Sequence, residues 1–266
     1  SNIGIDDDFF LCGGDSITAL QLASQIQEEL KQKISVKHIF DFPTVRSFVE
    51  NALNDIANKP GYEKQMPLTG ICPMIPIQKW FFAKSLVNRA YWNQYFAIRT
   101  PPLEIEKLEL ALNKIVDYHD VFRLRFRFPV ANCEEEIEQI YSDSNLRVPL
   151  HSLDIQNLSY DEVQSKLAKW QSRFDLENGP LYSAAYLYGF EDGTARVWIA
   201  MHHLIVDAVS WRILARDLEI LYKGGELGSK GSSYRQWAQA LQKYVSTSEE
   251  RQLWANIADG LSLIHI

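Results

Sequence analysis

Cysteine is scarce and scattered. Cys12, Cys72 and Cys133 are odd in number and far apart, which argues against a disulfide frame or a cysteine metal knuckle and fits reduced thiols. Long apolar runs are also missing, since no stretch approaches the roughly 20 residues of a membrane-spanning helix. The opening residues, SNIGIDDDFF, lack a basic stretch followed by an apolar one and lack an initiator methionine. They do not form a secretory leader. Positive charge is in deficit, with 27 Lys and Arg against 34 Asp and Glu. No internal repeat or low-complexity tract interrupts the chain. These absences point to a cytoplasmic protein that binds neither membrane nor nucleic acid.

What is present is an ordinary globular composition, 46% hydrophobic and 23% charged over 266 residues, long enough for two domains. The net charge of −7 is unevenly spread. Residues 1–57 hold 9 acids and 4 bases, leaving 25 acids and 23 bases for the rest. So acidic a front segment is a poor partner for phosphate backbones. It suits a solvated face, or docking against a basic protein surface.

Helical spacing marks residues 16–30, where Ile17, Leu20, Ala23, Ile26 and Leu30 share a face behind the turn GGDS. A second helix is expected at 45–56 behind Thr44, with one short turn in SVKHIFDF between the two. Residues 58–65, with Pro60 and Gly61, read as a linker. Beyond it, helical patterns at 77–87, 106–118 and 208–222 alternate with strand patterns. RLRFRF at 123–128 reads as a half-buried strand with its basic residues outward. Asp192-Gly193 marks a hairpin between two apolar strands.

Two short stretches carry candidate chemistry. Ser16 opens a helix behind two glycines, where a serine serves either as a helix cap or as an exposed hydroxyl beside free backbone N–H groups. MHHLIVDAVSW, residues 201–211, ends a strand and begins a helix. The pair His202 and His203 fits three roles. One ring packs in the core while the other meets solvent; or His203 and Asp207 contribute to a metal site, with no third ligand at suitable spacing; or an imidazole acts as acid and base.

DDDFFLCGGDSITALQL, continued through FDFPTV, closely resembles the peptidyl carrier domain of nonribosomal peptide synthetases, over residues 1–57. Cys12 departs from the family pattern. The resemblance implies an all-α helical bundle, here without its first helix, carrying 4′-phosphopantetheine covalently on Ser16. Asp15 before that serine is typical of carriers that precede epimerisation domains. The implied partners are a phosphopantetheinyl transferase, an upstream adenylation domain and a downstream condensation domain.

HHLIVDAVSWRIL resembles the H-H-x-x-x-D-G motif of the condensation superfamily, and in V-S-W its epimerisation branch. PMIPIQKWFF, YHDVFRLRF and FDLENGPLYSAAYL resemble further motifs of that branch, in order, across 66–260. Tyr118 replaces a family histidine and Ala208 a family glycine. The resemblance implies an α/β multi-domain chain: the carrier, then the N-terminal lobe of a chloramphenicol-acetyltransferase-like fold, with residues 261–266 a non-native tail. It further implies that His203 moves a proton at the Cα of an aminoacyl or peptidyl thioester. His202 supports it structurally, Asp207 pairs with Arg123, and Ser210 and Trp211 complete the motif. A glutamate in the second lobe, which this chain does not supply, is the opposing proton group, so the chain alone is expected to be inactive. The alternatives are a condensation domain forming peptide bonds with the same histidine, and a carrier with a non-catalytic docking lobe. The amino acid is chosen elsewhere, in the adenylation domain.

Overall fold

The computed structural model describes residues 3–30, 34–52, 67–129, 137–143, 147, 150–228, 230–245 and 248–260. The expected linker 58–65, the tail 261–266 and the end of the expected helix 45–56 lie outside them. The chain divides into two compact units, Ser1–Lys64 and Gln65–Ile266.

Among the described residues the regular elements of the first unit are all helical: α1 (Ser16–Leu30), α2 (Val36–Asp41) and α3 (Val45–Ser47), which runs on as a π-helical turn over Phe48–Ala52. That widened turn stands where a continuous α-helix was expected, and α2 is a six-residue helix where a single turn was expected. The buried side of α1 is also rotated from the expected stripe. Ala19 and Ala23 are buried, while Leu20 and Leu30 are exposed. The two alanines belong to one small cluster with Ile34 and Ile39, against which Leu22, Ile26 and Phe48 pack. Residues 19, 22, 23 and 26 follow the i, i+3, i+4, i+7 rule from a different starting point than the larger side chains suggested.

The second unit mixes helix and sheet, as expected. Its elements are β1 (Gly70–Ile71), α4 (Pro76–Ala83), β2 (Asn93–Thr100), α5 (Ile105–Tyr118), β3 (Leu124–Arg127), β4 (Glu138–Tyr141), β5 (His151–Asp154), α6 (Tyr160–Gln171), β6 (Tyr182–Tyr188), β7 (Ala195–His202), α7 (Ala208–Tyr222), α8 (Tyr234–Val245) and α9 (Ser248–Gly260). A four-stranded sheet has the order β2-β7-β6-β5, antiparallel except for β5 against β6. A three-stranded antiparallel sheet has the order β1-β4-β3. The β6–β7 hairpin forms at Asp192-Gly193, with Gly193 at φ +69°, a left-handed turn that glycine adopts without strain.

β6 and β7 are buried along nearly their whole length, because both faces of their sheet are covered. On one face Ala184 and Ile199 line a cavity together with Leu112 and Ile115 of α5 and Leu214 of α7. On the other, Trp198 lies near Trp170 of α6. The expectation of outward basic residues in β3 is corrected: Arg125 is buried. Its guanidinium donates to the carbonyls of Phe122, Leu124 and Asn178. Gly179, at φ +72°, leaves room for it, since a Cβ there would lie 2.2 Å from Arg125 Cζ.

Candidate functional site

In the first unit the acidic loop is folded by its own carboxylates. Asp6 pairs with Arg46, Asp7 accepts from the N–H of Gly4, and Asp8 accepts from the N–H groups of Phe10 and Leu11. The Arg46 guanidinium holds the Asp6 carboxyl below its usual range. Gly13 stands at φ +98°, and a Cβ on Gly14 would lie 2.4 Å from the ring of Phe9. The chain thus reaches α1 through a turn that only glycines fit.

The helix cap is Asp15 and not Ser16. Asp15 Oδ1 accepts from the N–H groups of Ile17 and Thr18 at 3.0 and 2.7 Å, and Thr18 Oγ1 accepts from the Asp15 N–H at 2.7 Å. Ser16 is exposed at the first helical position. The cap reading of Ser16 is therefore set aside, and its hydroxyl stays on the surface at a helix N-terminus, whose partial positive charge favours an attached phosphodiester. This arrangement fits 4′-phosphopantetheine.

In the second unit the two histidines part by strand geometry. Successive residues of a strand face opposite ways. His202, the last residue of β7, points into the core and is fully buried beside Phe81 and Phe174. Its Nε2–H donates to the carbonyl of Arg89 at 2.8 Å, and its Nδ1 accepts from the N–H of Leu204 at 3.2 Å. Burial, with the neighbouring His203 adding to it, lowers its pKa to about 4. His202 is a neutral structural ring.

His203 turns the other way and is exposed. Its backbone N–H donates to the carbonyl of Trp92 at 2.8 Å. Its Nδ1 lies 3.0 Å from the carbonyl of Val206, and its Nε2 lies 3.0 Å from Gln94 Nε2. The loop behind it is held from below by buried Gln78, whose amide donates to the carbonyl of Leu204 and to Gln139 Oε1. Gln78 is the glutamine of PIQKWFF, and it explains why that distant stretch belongs with the histidines.

The expected pairing of Asp207 with Arg123 is corrected. Asp207 is exposed and caps α7, its Oδ1 accepting from the N–H and hydroxyl of Ser210 at 2.8 and 2.6 Å. Arg123 is buried in an ion pair with Asp120, which Lys230 also meets at 3.0 Å. An acid four residues beyond His203 suits either role, and helix capping takes it. Ala208 is the first residue of α7 and exposed, so its methyl meets no obstacle. Trp211 faces Gln94, its Nε1–H donating to Gln94 Oε1 at 3.2 Å. Gln94 was not singled out by sequence, because only the β2–β7 register brings it to His203. Among the described residues no group of three His, Cys, Asp or Glu is placed to hold a metal ion, and no helix is long and apolar enough to cross a membrane.

A helical unit with an exposed serine at a glycine-bounded helix start, followed by an α/β unit with an HHxxxD loop, defines a carrier and condensation-superfamily segment of a nonribosomal peptide synthetase. The chain belongs to the Condensation domain family, which residues 69–265 match, and residues 1–51 match the Phosphopantetheine attachment site family, which carries the prosthetic group covalently. It is 55% identical over 255 residues to N-(5-amino-5-carboxypentanoyl)-L-cysteinyl-D-valine synthase of Amycolatopsis lactamdurans, covering 95% of this chain. Against the synthase of the same name from Penicillium rubens the identity is 44%, covering 94% of this chain. The chain spans 7% of the length of each. The crystal structure of the epimerization domain from the third module of tyrocidine synthetase B superposes with a TM-score of 0.65 at 31% identity, covering 76% of this chain and 47% of that one.

Proposed function

We propose that residues 66–260 form the N-terminal lobe of an epimerisation domain, and that it inverts the Cα of an aminoacyl or peptidyl thioester held by the carrier, residues 1–57. The observation that carries this is His203: an exposed imidazole, anchored through Nδ1 at the end of a buried strand. An imidazole changes charge near neutral pH, so Nε2 can take a proton and return one. His202 and the Gln78 amide fix the loop from the core side. Asp207 and Ser210 fix the start of α7, and Arg123 with Asp120 braces the strand-end beside β4. We assign the opposing proton group to the half of the fold that this chain does not span.

The prosthetic group, attached at Ser16, supplies the thiol that holds the substrate as a thioester. Asp15 holds the helix start so that the Ser16 hydroxyl stays outward. Both relatives are named for a product with a single D residue, valine, and we take valine as the unit inverted here. The partners in this reading are an adenylation domain before the carrier, a condensation domain after the epimerisation domain, and a phosphopantetheinyl transferase. Condensation is the second reading, since the family match bears that name and the same histidine serves it.

Cα deuterium uptake into the loaded thioester of the full-length synthetase separates these. His203→Ala is expected to lower uptake by about 10²–10⁴-fold, the usual worth of a positioned acid/base, while His202→Gln lowers it far less. Full uptake in His203→Ala refutes the assignment. Absence of uptake in the wild-type protein, with peptide bond formation that needs His203, establishes condensation instead.

A further inference from the structure

Gln94 stands between Trp211 and His203. The register of β2 against β7 sets Gln94 across from Met201, on the face that His203 continues. Phe96, two residues on, shares that face, and its ring centroid lies 4.6 Å from that of Trp211. The indole N–H can only donate. By donating to Gln94 Oε1 at 3.2 Å it fixes which end of the amide faces it. The other end, the NH2, therefore faces His203 Nε2 at 3.0 Å. An amide NH2 also only donates, so the nitrogen that accepts from it carries no proton. At the opposite corner of the ring, the Val206 carbonyl only accepts, so Nδ1 carries the proton. Both contacts select the same neutral tautomer.

We propose that Gln94, oriented by the indole N–H of Trp211, is a positioning residue that holds the His203 imidazole with its proton on Nδ1 and its lone pair on Nε2. The proposal rests on the reading of His203 as the acid/base group. It explains why the motif ends in tryptophan. Phenylalanine would still pack on Phe96 but would leave the amide free to turn over. The amide is also a placeholder. A substrate Cα–H takes the position that its N–H holds while the site is empty.

Gln94→Glu tests this with little change of shape. The carboxylate still accepts from Trp211, but its second oxygen can only accept from His203, which favours the imidazolium. An opposite charge at this distance raises a histidine pKa by about one unit or more. The readout is nitrogen NMR of the 266-residue chain labelled with ¹⁵N-histidine, with the buried His202 resonances as the check that the fold is intact. We expect the His203 titration to move up in Gln94→Glu, and the Nε2-protonated form to gain population in Trp211→Phe. In the full-length synthetase, Gln94→Glu should move the low-pH limb of the Cα-exchange profile upward by the same amount. A His203 titration and tautomer unchanged in either variant overturn the relay. If that occurs while His203→Ala abolishes exchange, the relay fails alone. Exchange that persists in His203→Ala overturns the acid/base reading itself, whatever the spectra.

Discussion

His202 and His203 are neighbours in sequence, yet they carry their ring protons on opposite nitrogens. His202 donates from Nε2 to the Arg89 carbonyl, and His203 donates from Nδ1 to the Val206 carbonyl. The strand pleat sends one ring into the core and the other to the surface. The backbone carbonyl that each ring meets then decides its tautomer. One imidazole is kept neutral by burial, and the other remains open to exchange protons.

The burial of His202 makes stability depend on pH. In the unfolded chain this ring gains a proton near pH 6.5, and in the folded chain only near 4. Between those values the unfolded state binds more protons, so folding stability falls as pH drops through this window and the loss is complete below it. The full loss is on the order of 3 kcal/mol. His202→Gln is expected to be less stable than wild type at neutral pH but to show a shallower fall toward pH 4. Urea midpoints across that range measure it, and parallel curves for the two proteins would refute the attribution.

The division of labour at α1 gives a second outcome. Because Asp15 caps the helix and Ser16 does not, Asp15→Ala should cost about 1 kcal/mol, the usual worth of a cap. Ser16→Ala should leave stability nearly unchanged. Incubation with coenzyme A and a broad-range transferase, followed by peptide-mapping mass spectrometry of the synthetase, should find the arm on Ser16 and none after Ser16→Ala. An arm that survives Ser16→Ala places the attachment elsewhere. A large loss of stability in Ser16→Ala shows that the hydroxyl caps the helix after all.

What could be read from sequence was local. The hairpin turns at Asp192-Gly193, and α7 spans Ala208–Tyr222 with Gly224 beyond it at φ +83°. Both are written in consecutive residues. The glycine-bounded serine and the histidine pair were also legible as motifs. Their partners were not. Gln94 meets His203 only through the β2–β7 register, and Gln78 reaches Leu204 across 126 positions of chain. Arg125 looked like an outward strand residue because alternation says nothing of three carbonyls waiting inside. Asp207 was misread for the opposite reason. Its true partner, Ser210, lies only three residues away, where a short-range cap competes with any long-range ion pair at far lower entropic cost.

That correction yields the third outcome, from a pair of substitutions. Asparagine caps a helix about as well as aspartate, and alanine does not. If Asp207 acts through Ser210 at the start of α7, Asp207→Asn should retain nearly all of the stability and most of the Cα exchange, while Asp207→Ala loses about 1 kcal/mol and lets the His203–Val206 loop loosen. If instead the carboxylate charge matters, as an ion pair with Arg123 requires, the asparagine variant should fall as far as the alanine one. Ser210→Ala serves as the companion, since it removes the hydroxyl that donates to Asp207 Oδ1 but keeps the backbone N–H that does the same. It is expected to lie between wild type and Asp207→Ala. Thermal denaturation of the chain, with exchange measured in the full-length synthetase, orders the three variants. Equal damage from Asp207→Asn and Asp207→Ala would restore the charged role and overturn the cap.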